Sequence, residues 1–339
     1  MVNDMGFLLH VSGFDRCGKS TLCDLLSKDL GADVTHFSNP KNIDDGKNQY
    51  FNFLNQISDD KIYICDRYHD GEWIYAPIYR GYKADYMGEI ETAICNKMNY
   101  MFAFLTAEYE TIIDRINECG EEFVKPKHFK QIMDSFVDDF LMEQRMPYTI
   151  INTTYKNKKE SFEQVKHDMN VVDKIWSMYR TYVKASDEYK ICFPLILPRG
   201  NVRAKFMIID QSPAVMDKSD YKFTTMFSHN NCKSNLIIDI LKKAGVYLDC
   251  WFTNLVSYSI NDNKINEHGS LHYIENLKLE IDLINPEKIF VLGESASKYM
   301  KKYLPDIEFT TVHHPVYIQK FHCKNNDIFN EYINLFKNN

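Results

Sequence analysis

A glycine-rich segment near the N-terminus has the residue types and the spacing of a phosphate-binding loop. Residues 13–21 read GFDRCGKST, which fits the pattern G-x-x-x-x-G-K-[ST]. The segment follows a short apolar run, 7–11, and opens a stretch, 20–30, in which leucines recur at helical spacing. Glycines let the backbone amides turn inward toward phosphate oxygens, and the N-terminus of a helix favours an anion. The sequence therefore predicts a strand–loop–helix cradle for the phosphates of a nucleotide.

The polar residues of this loop have predicted roles in phosphoryl transfer. Lys19 would contact the β- and γ-phosphates of ATP, and Ser20 would bind Mg²⁺. A second motif, Cys65-Asp66-Arg67-Tyr68, follows the next predicted strand. Its Asp66 could position hydrated Mg²⁺, and its Arg67 could bind a phosphate through two parallel hydrogen bonds. ATP and Mg²⁺ are thus the expected cofactors. The residues predicted to bind ATP and phosphate are Gly13, Asp15, Gly18, Lys19, Ser20 and Thr21.

The two motifs together resemble those of the thymidylate kinases, a family of P-loop nucleoside monophosphate kinases. The resemblance covers about residues 6–169 and implies ATP-dependent phosphoryl transfer. It implies that Asp15 contacts the sugar of the acceptor nucleotide and that Arg67 contacts its phosphate. It also implies that Arg16 stabilises the transferring phosphoryl group. In this half, the predicted catalytic residues are Lys19, Arg16, Asp66 and Arg67, and the predicted metal-binding residues are Ser20 and Asp66.

The acceptor side departs from the family pattern in two places. Ser38-Asn39-Pro40-Lys41 stands where the family has an Arg-Glu-Pro-like segment, and the run 69–81 differs from the usual thymine-reading segment. Arg80 could replace the lost phosphate contact. Trp73 and Tyr75 could either stack on a base or pack in the core. The residues predicted to bind the acceptor are Asp15, Arg67, Tyr68, Glu72, Tyr75 and Arg80.

The chemistry of the acceptor decides whether a general base is needed. A phosphate monoester is already an anionic nucleophile, so its phosphorylation requires alignment and neutralisation of charge. An alcohol would instead need a carboxylate close to the hydroxyl. Asp15, Asp66 and Glu72 are the carboxylates that could serve, so both acceptor classes remain open at this point.

Apolar runs and helical patterns alternate along the whole chain, which is typical of α/β domains with parallel sheets. The predicted strands are 7–11, 61–65, 100–105, 148–152, 206–210, 251–256 and 288–292. The predicted helices are 20–30, one from near 107, one from near 127, 159–169, 236–244 and 273–283. We expect a P-loop kinase domain over residues 1–170, a helical linker over 171–190, and a second, three-layer α/β domain over 191–339.

Four loops of the second half follow predicted strands or carry polar motifs. They read DQSP at 210–213, TNLV at 253–256, LGESA at 292–296 and HHP at 313–315. Their order and spacing, over about residues 189–332, are similar to those of the uracil-DNA glycosylase superfamily. The resemblance implies that Asn254 reads the edge of a flipped base, that Phe223 or Phe227 stacks on it, and that His314 stabilises negative charge on the departing base. His314 is thus the predicted catalytic residue of this half. The predicted base pocket comprises Gln211, Ser212, Pro213, Phe223, Asn254 and His314.

This half also departs from its family. Gln211 and Ser212 stand where the family usually carries the residue that positions water, and Asp210, Asp217 or Asp220 would have to substitute. Cys192 matches one ligand of the iron–sulfur cluster found in one branch, whereas the other expected positions carry no cysteine. We therefore expect no iron–sulfur cluster.

Composition limits the setting in which the protein works. The 339 residues carry a formal net charge of −7, so bulk charge does not favour nucleic acid, although a local basic groove is compatible with it. We expect neither a membrane span nor a secretory signal, and nine scattered cysteines favour a reducing cytoplasm. A nucleotide substrate, DNA through the second domain, and a homodimer are the expected partners.

The leading functional prediction is a kinase of a dTMP- or dUMP-like deoxynucleotide, fused to a base-recognition domain. One alternative is a kinase that acts on a hydroxymethylated pyrimidine in DNA, with the second domain flipping or presenting the base. In another alternative, the second domain binds DNA or nucleotide without catalysis. The combination suggests DNA modification in a bacterial cell, in a protein that a bacteriophage would encode.

Overall fold

The computed structural model describes residues 6–120, 124–181, 195–212, 223–226, 235–257, 267–315, 317–318 and 326–337. The chain divides into two compact units, Met1–Lys174 and Ile175–Asn339. Both are mixed α/β units with mostly parallel strands, which confirms the predicted fold class. The domain boundaries at 170 and 190 stay a prediction.

Five parallel strands form the sheet of the first unit. They are β1 (Phe7–Gly13), β2 (Asp33–His36), β3 (Ile62–Asp66), β4 (Asn99–Thr106) and β5 (Pro147–Asn152), in the order β5-β4-β1-β3-β2. Every residue of β1 is buried, as expected for a central strand covered on both faces. The register places Val11 opposite Asp66 and His36 opposite Asp66. The carboxyl ends of β1, β2 and β3 therefore meet at one edge of the sheet.

Helices follow each strand of the first unit. They are α1 (Lys19–Leu30), α2 (Ile43–Gln56), α3 (His69–Tyr79), α4 (Met87–Lys97), α5 (Tyr109–Cys119), α6 (Phe129–Asp134) and α7 (Lys158–Arg180). A short 3₁₀ helix, Pro126–His128, precedes α6, and a π-helical segment, Ser135–Leu141, continues it. Asn42 caps the N-terminus of α2, because its side chain accepts a hydrogen bond of 2.9 Å from the backbone N–H of Asp45.

Within the second unit, five of the described strands pair with one another. Four parallel strands lie in the order β12 (Thr310–Val312), β11 (Lys288–Leu292), β8 (Phe206–Asp210) and β10 (Cys250–Asn254), and β7 (Arg199–Asn201) pairs with β10 in the antiparallel direction. A separate parallel pair is formed by β6 (Leu195–Leu197) and β9 (Phe223–Thr225). The helices are α8 (Asn235–Ala244), α9 (Glu267–Ile284), α10 (Glu294–Tyr303) and α11 (Asn326–Lys337).

All seven predicted strands are present, and the predicted helices are found close to their expected starts, except that α9 begins at Glu267 rather than at the predicted residue 273. The chain from 171 to 180 is helical as expected, but it continues α7 without a break. Residues 182–194 lie outside the described ranges. Within those ranges, no helix is both long and apolar enough to span a bilayer.

Candidate functional site

The loop between β1 and α1 has the backbone geometry that its glycines predict. Gly13 has φ 140°, and a Cβ atom there would lie 1.9 Å from the carbonyl oxygen of Leu105. Only glycine therefore fits this turn. Gly18 has φ 87° and precedes the first residue of α1. The loop consequently ends at a helix N-terminus, where backbone N–H groups are available to an anion.

Lys19 and Ser20 lie at the start of α1, next to the end of β3. The Oγ of Ser20 donates a hydrogen bond of 2.9 Å to Oδ2 of Asp66. The Nζ of Lys19 donates to the carbonyl oxygen of Phe14 at 2.7 Å and lies 4.0 Å from Oδ1 of Asp15. Burial lowers the pKa of Lys19, although the charge of Asp15 opposes this shift. The two predicted metal-binding side chains are thus in contact.

The hydroxyl and the carboxylate fit a hard cation such as Mg²⁺, which prefers oxygen ligands. Asp66 is buried, so its carboxylate is held in a fixed place by β3. In the part of the chain that the structure describes, no three His, Cys, Asp or Glu side chains are grouped to hold a metal ion. A cation here would therefore have few protein ligands, as is usual for Mg²⁺ bound together with phosphates.

Arg67 and Asp15 form an ion pair across the mouth of the loop. An Nη2 group of Arg67 donates a hydrogen bond to Oδ1 of Asp15, and the hydroxyl of Tyr75 lies 3.4 Å from Oδ2. Burial and the charge of Asp15 raise the pKa of Tyr75 well above its usual value, so this phenol stays protonated. The structure therefore brings together three of the predicted acceptor-binding residues.

Glu72 of α3 and Arg80, which directly follows this helix, form a second ion pair. The carboxylate of Glu72 accepts hydrogen bonds from Nη2 of Arg80 at 2.8 Å and from the hydroxyl of Tyr82. Burial raises the pKa of Glu72 to about 7, although Arg80 lowers it. Tyr68, which was also predicted to bind the acceptor, is only 1 % exposed and packs against Tyr50, Phe37 and Phe53.

A buried polar network beneath these pairs was not recognised in the sequence. Asp70, at the start of α3, lies 2.6 Å from Nε2 of His10 and accepts hydrogen bonds from Oγ of Ser12 and from the backbone N–H of Tyr68. His10 also lies 2.9 Å from the hydroxyl of Tyr100. Burial opposes the ionisation of Asp70, but the charge and the hydrogen bond of His10 hold its pKa below the usual range. The network joins the strand that leads into the loop to the helix that carries the acceptor side.

A cavity of about 320 Å³ lies on the other side of the loop. It is bordered by α1, by Arg115 of α5 and by the turn between β5 and α7. Arg115 is fixed there, because it donates to the carbonyl oxygen of Thr153 at 2.8 Å and to that of Arg16 at 3.1 Å. This cavity could not be predicted from the sequence, because Thr153, Lys156 and Asn157, which border it, belong to a turn without a recognisable pattern.

In the second unit, Asp210 and Asn254 end the neighbouring strands β8 and β10, and His314 follows β12 at the same edge of the sheet. Nε2 of His314 lies 3.2 Å from Oδ1 of Asp210, and Asn254 is directly opposite Asp210 in the sheet. Burial alone would lower the pKa of His314, but the hydrogen bond and the charge of Asp210 raise it. A Cβ atom at Gly293 would lie 3.3 Å from Cβ of His314, so this glycine allows the close approach of the loop.

The other predicted pocket residues are placed differently. Gln211 follows Asp210, and its backbone N–H donates to Oδ1 of that aspartate at 2.7 Å. Phe223 is buried in β9 with the guanidinium of Arg180 4.4 Å from its ring centre. Ser212 ends a described range, and Pro213, Asp217, Asp220 and Phe227 lie outside the described residues, as does Cys192.

Comparison with known proteins gives relatives for the first half. The SPbeta prophage-derived uncharacterized protein YorR of Bacillus subtilis (strain 168) is 26% identical over 132 residues, which are 38% of this chain and 79% of that protein. Its crystal structure, in complex with phosphorylated GDP, covers 47% of this chain and 93% of its own, with 20% identity and a TM-score of 0.41.

Two further solved structures are kinases. Deoxyadenosine kinase from M. mycoides, with dCMP and a flexible dCDP bound, covers 48% of this chain and 98% of its own, at 16% identity and a TM-score of 0.32. Thymidylate kinase from Candida albicans covers 49% of this chain and 92% of its own, at 15% identity and a TM-score of 0.29.

The second half matches a protein family. The family model of the uracil DNA glycosylase superfamily matches residues 197–337, which contain β8, β10, β11 and β12 with the loops that follow them. The predicted resemblance, over about residues 189–332, is thereby confirmed. This match covers residues 197–337, which is less than half of the chain, and it gives the second half a resemblance to that superfamily.

Proposed function

We propose that the first unit transfers the γ-phosphoryl group of ATP, with Mg²⁺, to a pyrimidine deoxynucleoside monophosphate of the dTMP or dUMP type. The contact between Ser20 and Asp66 carries this proposal, because it sets a hydroxyl and a carboxylate at the N-terminus of α1, beside the predicted phosphate lysine. Such a pair is what a nucleotide-bound Mg²⁺ requires of a P-loop protein.

The residues of the loop would do the chemistry by position and charge. Lys19 would contact the β- and γ-phosphates, after exchanging its contact with Phe14 for a phosphate oxygen. Arg16 is exposed at the rim of the cavity and would stabilise negative charge on the phosphoryl group in transfer. Bound Mg²⁺ would neutralise part of the same charge. The cavity beside Arg115 would take the base of the donor nucleotide.

On the acceptor side, Arg67 and Asp15 would act as a prearranged pair. A nucleoside monophosphate offers both a phosphate for Arg67 and a sugar hydroxyl for Asp15, so their mutual ion pair would be replaced by contacts with one ligand. Tyr75 holds the Asp15 carboxylate from the other side. This exchange supports a monophosphate acceptor.

A second candidate is transfer to a hydroxymethylated pyrimidine in DNA. One observation favours it: Oδ1 of Asp15 lies 4.0 Å from Nζ of Lys19. A carboxylate this close to the phosphate lysine could accept the proton of an attacking hydroxyl. Under this alternative, the second unit would present the flipped base.

For the second unit, we propose recognition of a pyrimidine base. Asn254 would read the base edge, and the His314–Asp210 pair would place a partly buried imidazole against it. Excision of uracil from DNA and binding without excision are both compatible with this arrangement. Incubation with uracil-containing DNA, followed by alkaline cleavage at abasic sites, separates them. Loss of strand breaks in His314→Ala would establish excision, and intact DNA with retained binding would establish a binding module.

The kinase proposal is tested by transfer of label from γ-labelled ATP to a panel of acceptors. The panel comprises dTMP, dUMP, hydroxymethyl-dUMP, dCMP, dGMP, and DNA that contains thymine, uracil or hydroxymethyluracil. Lys19→Ala is the inactive variant, and Lys28→Ala, an exposed lysine of the same helix, is the matched control. Label on a free pyrimidine monophosphate supports the first candidate. Label on DNA alone would overturn it in favour of the second, and no label on any acceptor would reject both.

A further inference from the structure

One histidine stands beside the metal-binding pair without having been predicted from the sequence. His36 is the last residue of β2, and the sheet register places it directly opposite Asp66. Its Nδ1 lies 3.4 Å from Oδ2 of Asp66, the same oxygen that accepts the hydrogen bond of Ser20. Three side chains from β2, β3 and α1 therefore converge on one point.

The burial of these side chains differs in a way that matters for a ligand. The side chain of Asp66 is 4 % exposed, whereas that of His36 is 65 % exposed. The carboxylate is thus fixed, and the imidazole can rotate to meet a cation that arrives with a nucleotide. Within the described residues, no third His, Cys, Asp or Glu side chain joins His36 and Asp66 to form a metal-binding group, so nucleotide phosphates would have to complete the coordination.

The chemistry of imidazole sets it apart from the other two groups. Hydroxyl and carboxylate oxygens suit Mg²⁺, whereas a neutral imidazole nitrogen is a borderline donor that first-row transition ions bind more readily than Mg²⁺ does. A histidine within reach of a P-loop cation therefore changes which ion the site prefers.

We propose that His36 is a third protein ligand of the nucleotide-bound cation, through Nδ1, and that it makes the site favour a first-row transition ion such as Mn²⁺ over Mg²⁺. The proposal rests on the proposed function, because the cation is expected to bind together with ATP. In this proposal His36 binds the metal ion, and its contact with Asp66 does not serve only as an ion pair at the surface.

The test is pulsed electron paramagnetic resonance of the full chain with Mn²⁺ and the non-hydrolysable β,γ-imido analogue of ATP, at mildly alkaline pH. Protein labelled with ¹⁵N-histidine distinguishes a bound imidazole from the nitrogens of adenine. We expect a ¹⁵N coupling to Mn²⁺ in the unaltered protein and its loss in His36→Ala. The matched control is His167→Ala, since the side chain of His167 is 66 % exposed and also lies next to an aspartate, Asp168, at 3.1 Å.

Competition between the two ions gives a second measurement. The ratio of the Kd for Mg²⁺ to the Kd for Mn²⁺, measured with the same analogue, should fall about tenfold or more in His36→Ala and stay unchanged in His167→Ala. A ¹⁵N coupling that is absent from the unaltered protein, or that persists in His36→Ala, would overturn the proposal while leaving the kinase intact. Failure of Mn²⁺ to bind with the ATP analogue would reject the nucleotide site, and the role of His36 with it.

Discussion

Arg16 and Arg67 share a backbone conformation that costs free energy. Their φ angles are 64° and 66°, and among the described residues only Asn285 joins them as a non-glycine residue with positive φ. The left-handed conformation costs an L-residue about 1–2 kcal/mol. Such residues persist where the surrounding structure holds them, often at functional sites. Both arginines lie in turns that follow sheet strands. The positions of their side chains therefore require a backbone conformation that is unfavourable for an L-residue.

The strain at Arg16 can be separated from its charge by two substitutions. Arg16→Gly and Arg16→Ala both remove the guanidinium, so we expect phosphoryl transfer to fall about 100-fold or more in each. Glycine accepts a φ of 64° without penalty, whereas alanine does not. The glycine variant should therefore have a free energy of unfolding up to about 1 kcal/mol higher than the alanine variant. Urea unfolding measures this difference, and equal stabilities would show that position 16 is unstrained.

The pair of Asp210 and His314 predicts a change in protonation. The aspartate raises the pKa of the histidine against the effect of burial, so Asp210→Asn should leave burial as the main influence. We expect the pKa of His314 to fall below the ordinary value for imidazole. Nitrogen chemical shifts of selectively labelled histidine, followed through a pH titration, give this pKa. Asp306→Asn alters a carboxylate at a loop in the same unit and serves as the control.

Sequence motifs identified those site residues that lie close together along the chain. Asp15, Lys19 and Ser20 belong to one sequence motif, so a single pattern contains them. The contact of Tyr75 with Asp15 joins residues 60 positions apart, and that of His10 with Asp70 does the same. No local pattern records which of many buried polar residues will meet across a fold, so these contacts required the structure.

Helix α3 depends on Asp70 for its attachment to β1. The carboxylate contacts side chains of the strand and accepts a hydrogen bond from the backbone N–H of Tyr68, the residue before the helix, all within a buried region. Arg67 and Tyr75 lie on either side of this attachment. The geometry of the acceptor side therefore rests on one buried carboxylate.

Replacing Asp70 should consequently weaken both the fold and the acceptor site. Removing one partner of a buried ionic contact costs about 3 kcal/mol or more, so Asp70→Asn should lower the free energy of unfolding by that amount. Ser12→Ala removes a single donor and should cost about 1 kcal/mol. Urea unfolding gives both values. In steady-state kinetics, Asp70→Asn should raise the KM for the acceptor by a larger factor than the KM for ATP. Equal costs for the two variants would contradict this account.

Secondary structure was predictable wherever hydrophobicity and spacing agreed. The strands β1, β4 and β11 are apolar runs, and burial on both faces explains why. Strand β2, with the sequence DVTH, is an edge strand that is only partly buried and has no such run. Strand β7, with the sequence RGN, pairs with β10, and a Cβ atom at Gly200 would lie 2.3 Å from the carbonyl oxygen of Cys250. Pairing partners, rather than local preference, define these two strands.

The interior of the second unit contains an ionisable side chain, Glu280, that affects the stability of the whole molecule. Glu280 is fully buried and accepts hydrogen bonds from the hydroxyl of Tyr179 at 2.5 Å, from the indole N–H of Trp251 at 2.5 Å, and from the hydroxyl of Thr253 at 3.1 Å. Burial raises its pKa from 4.5 to about 7, although the three donors oppose this shift. The folded protein therefore retains a proton that the unfolded chain releases.

This difference makes the stability of the protein depend on pH. Between about pH 4.5 and 7, the folded state holds the proton of Glu280 and the unfolded state does not, so stability falls as the pH rises through this window. In Glu280→Gln the contribution is absent. The free energy of unfolding of the variant relative to the unaltered protein should thus rise by on the order of 2–3 kcal/mol across the window. Chemical denaturation at a series of pH values measures it, and a flat difference would refute the buried titration.

The two-part organisation was predictable because each half carries its own set of strands and motifs. The phosphate loop and the four polar loops lie at strand ends in different units, and local sequence records such positions well. The identity of the acceptor was not predictable, because it depends on side chains of α3 that come together only when the helix is placed.

The contact between Trp251 and Glu280 has a spectroscopic consequence. The indole ring is buried, and its N–H group points at a carboxyl that gains and loses a proton near neutrality. Electronic excitation shifts charge within an indole, so its emission energy responds to a neighbouring charge. The emission maximum of Trp251 should therefore shift as Glu280 ionises, so the fluorescence of this residue reports on proton uptake in the interior of the protein.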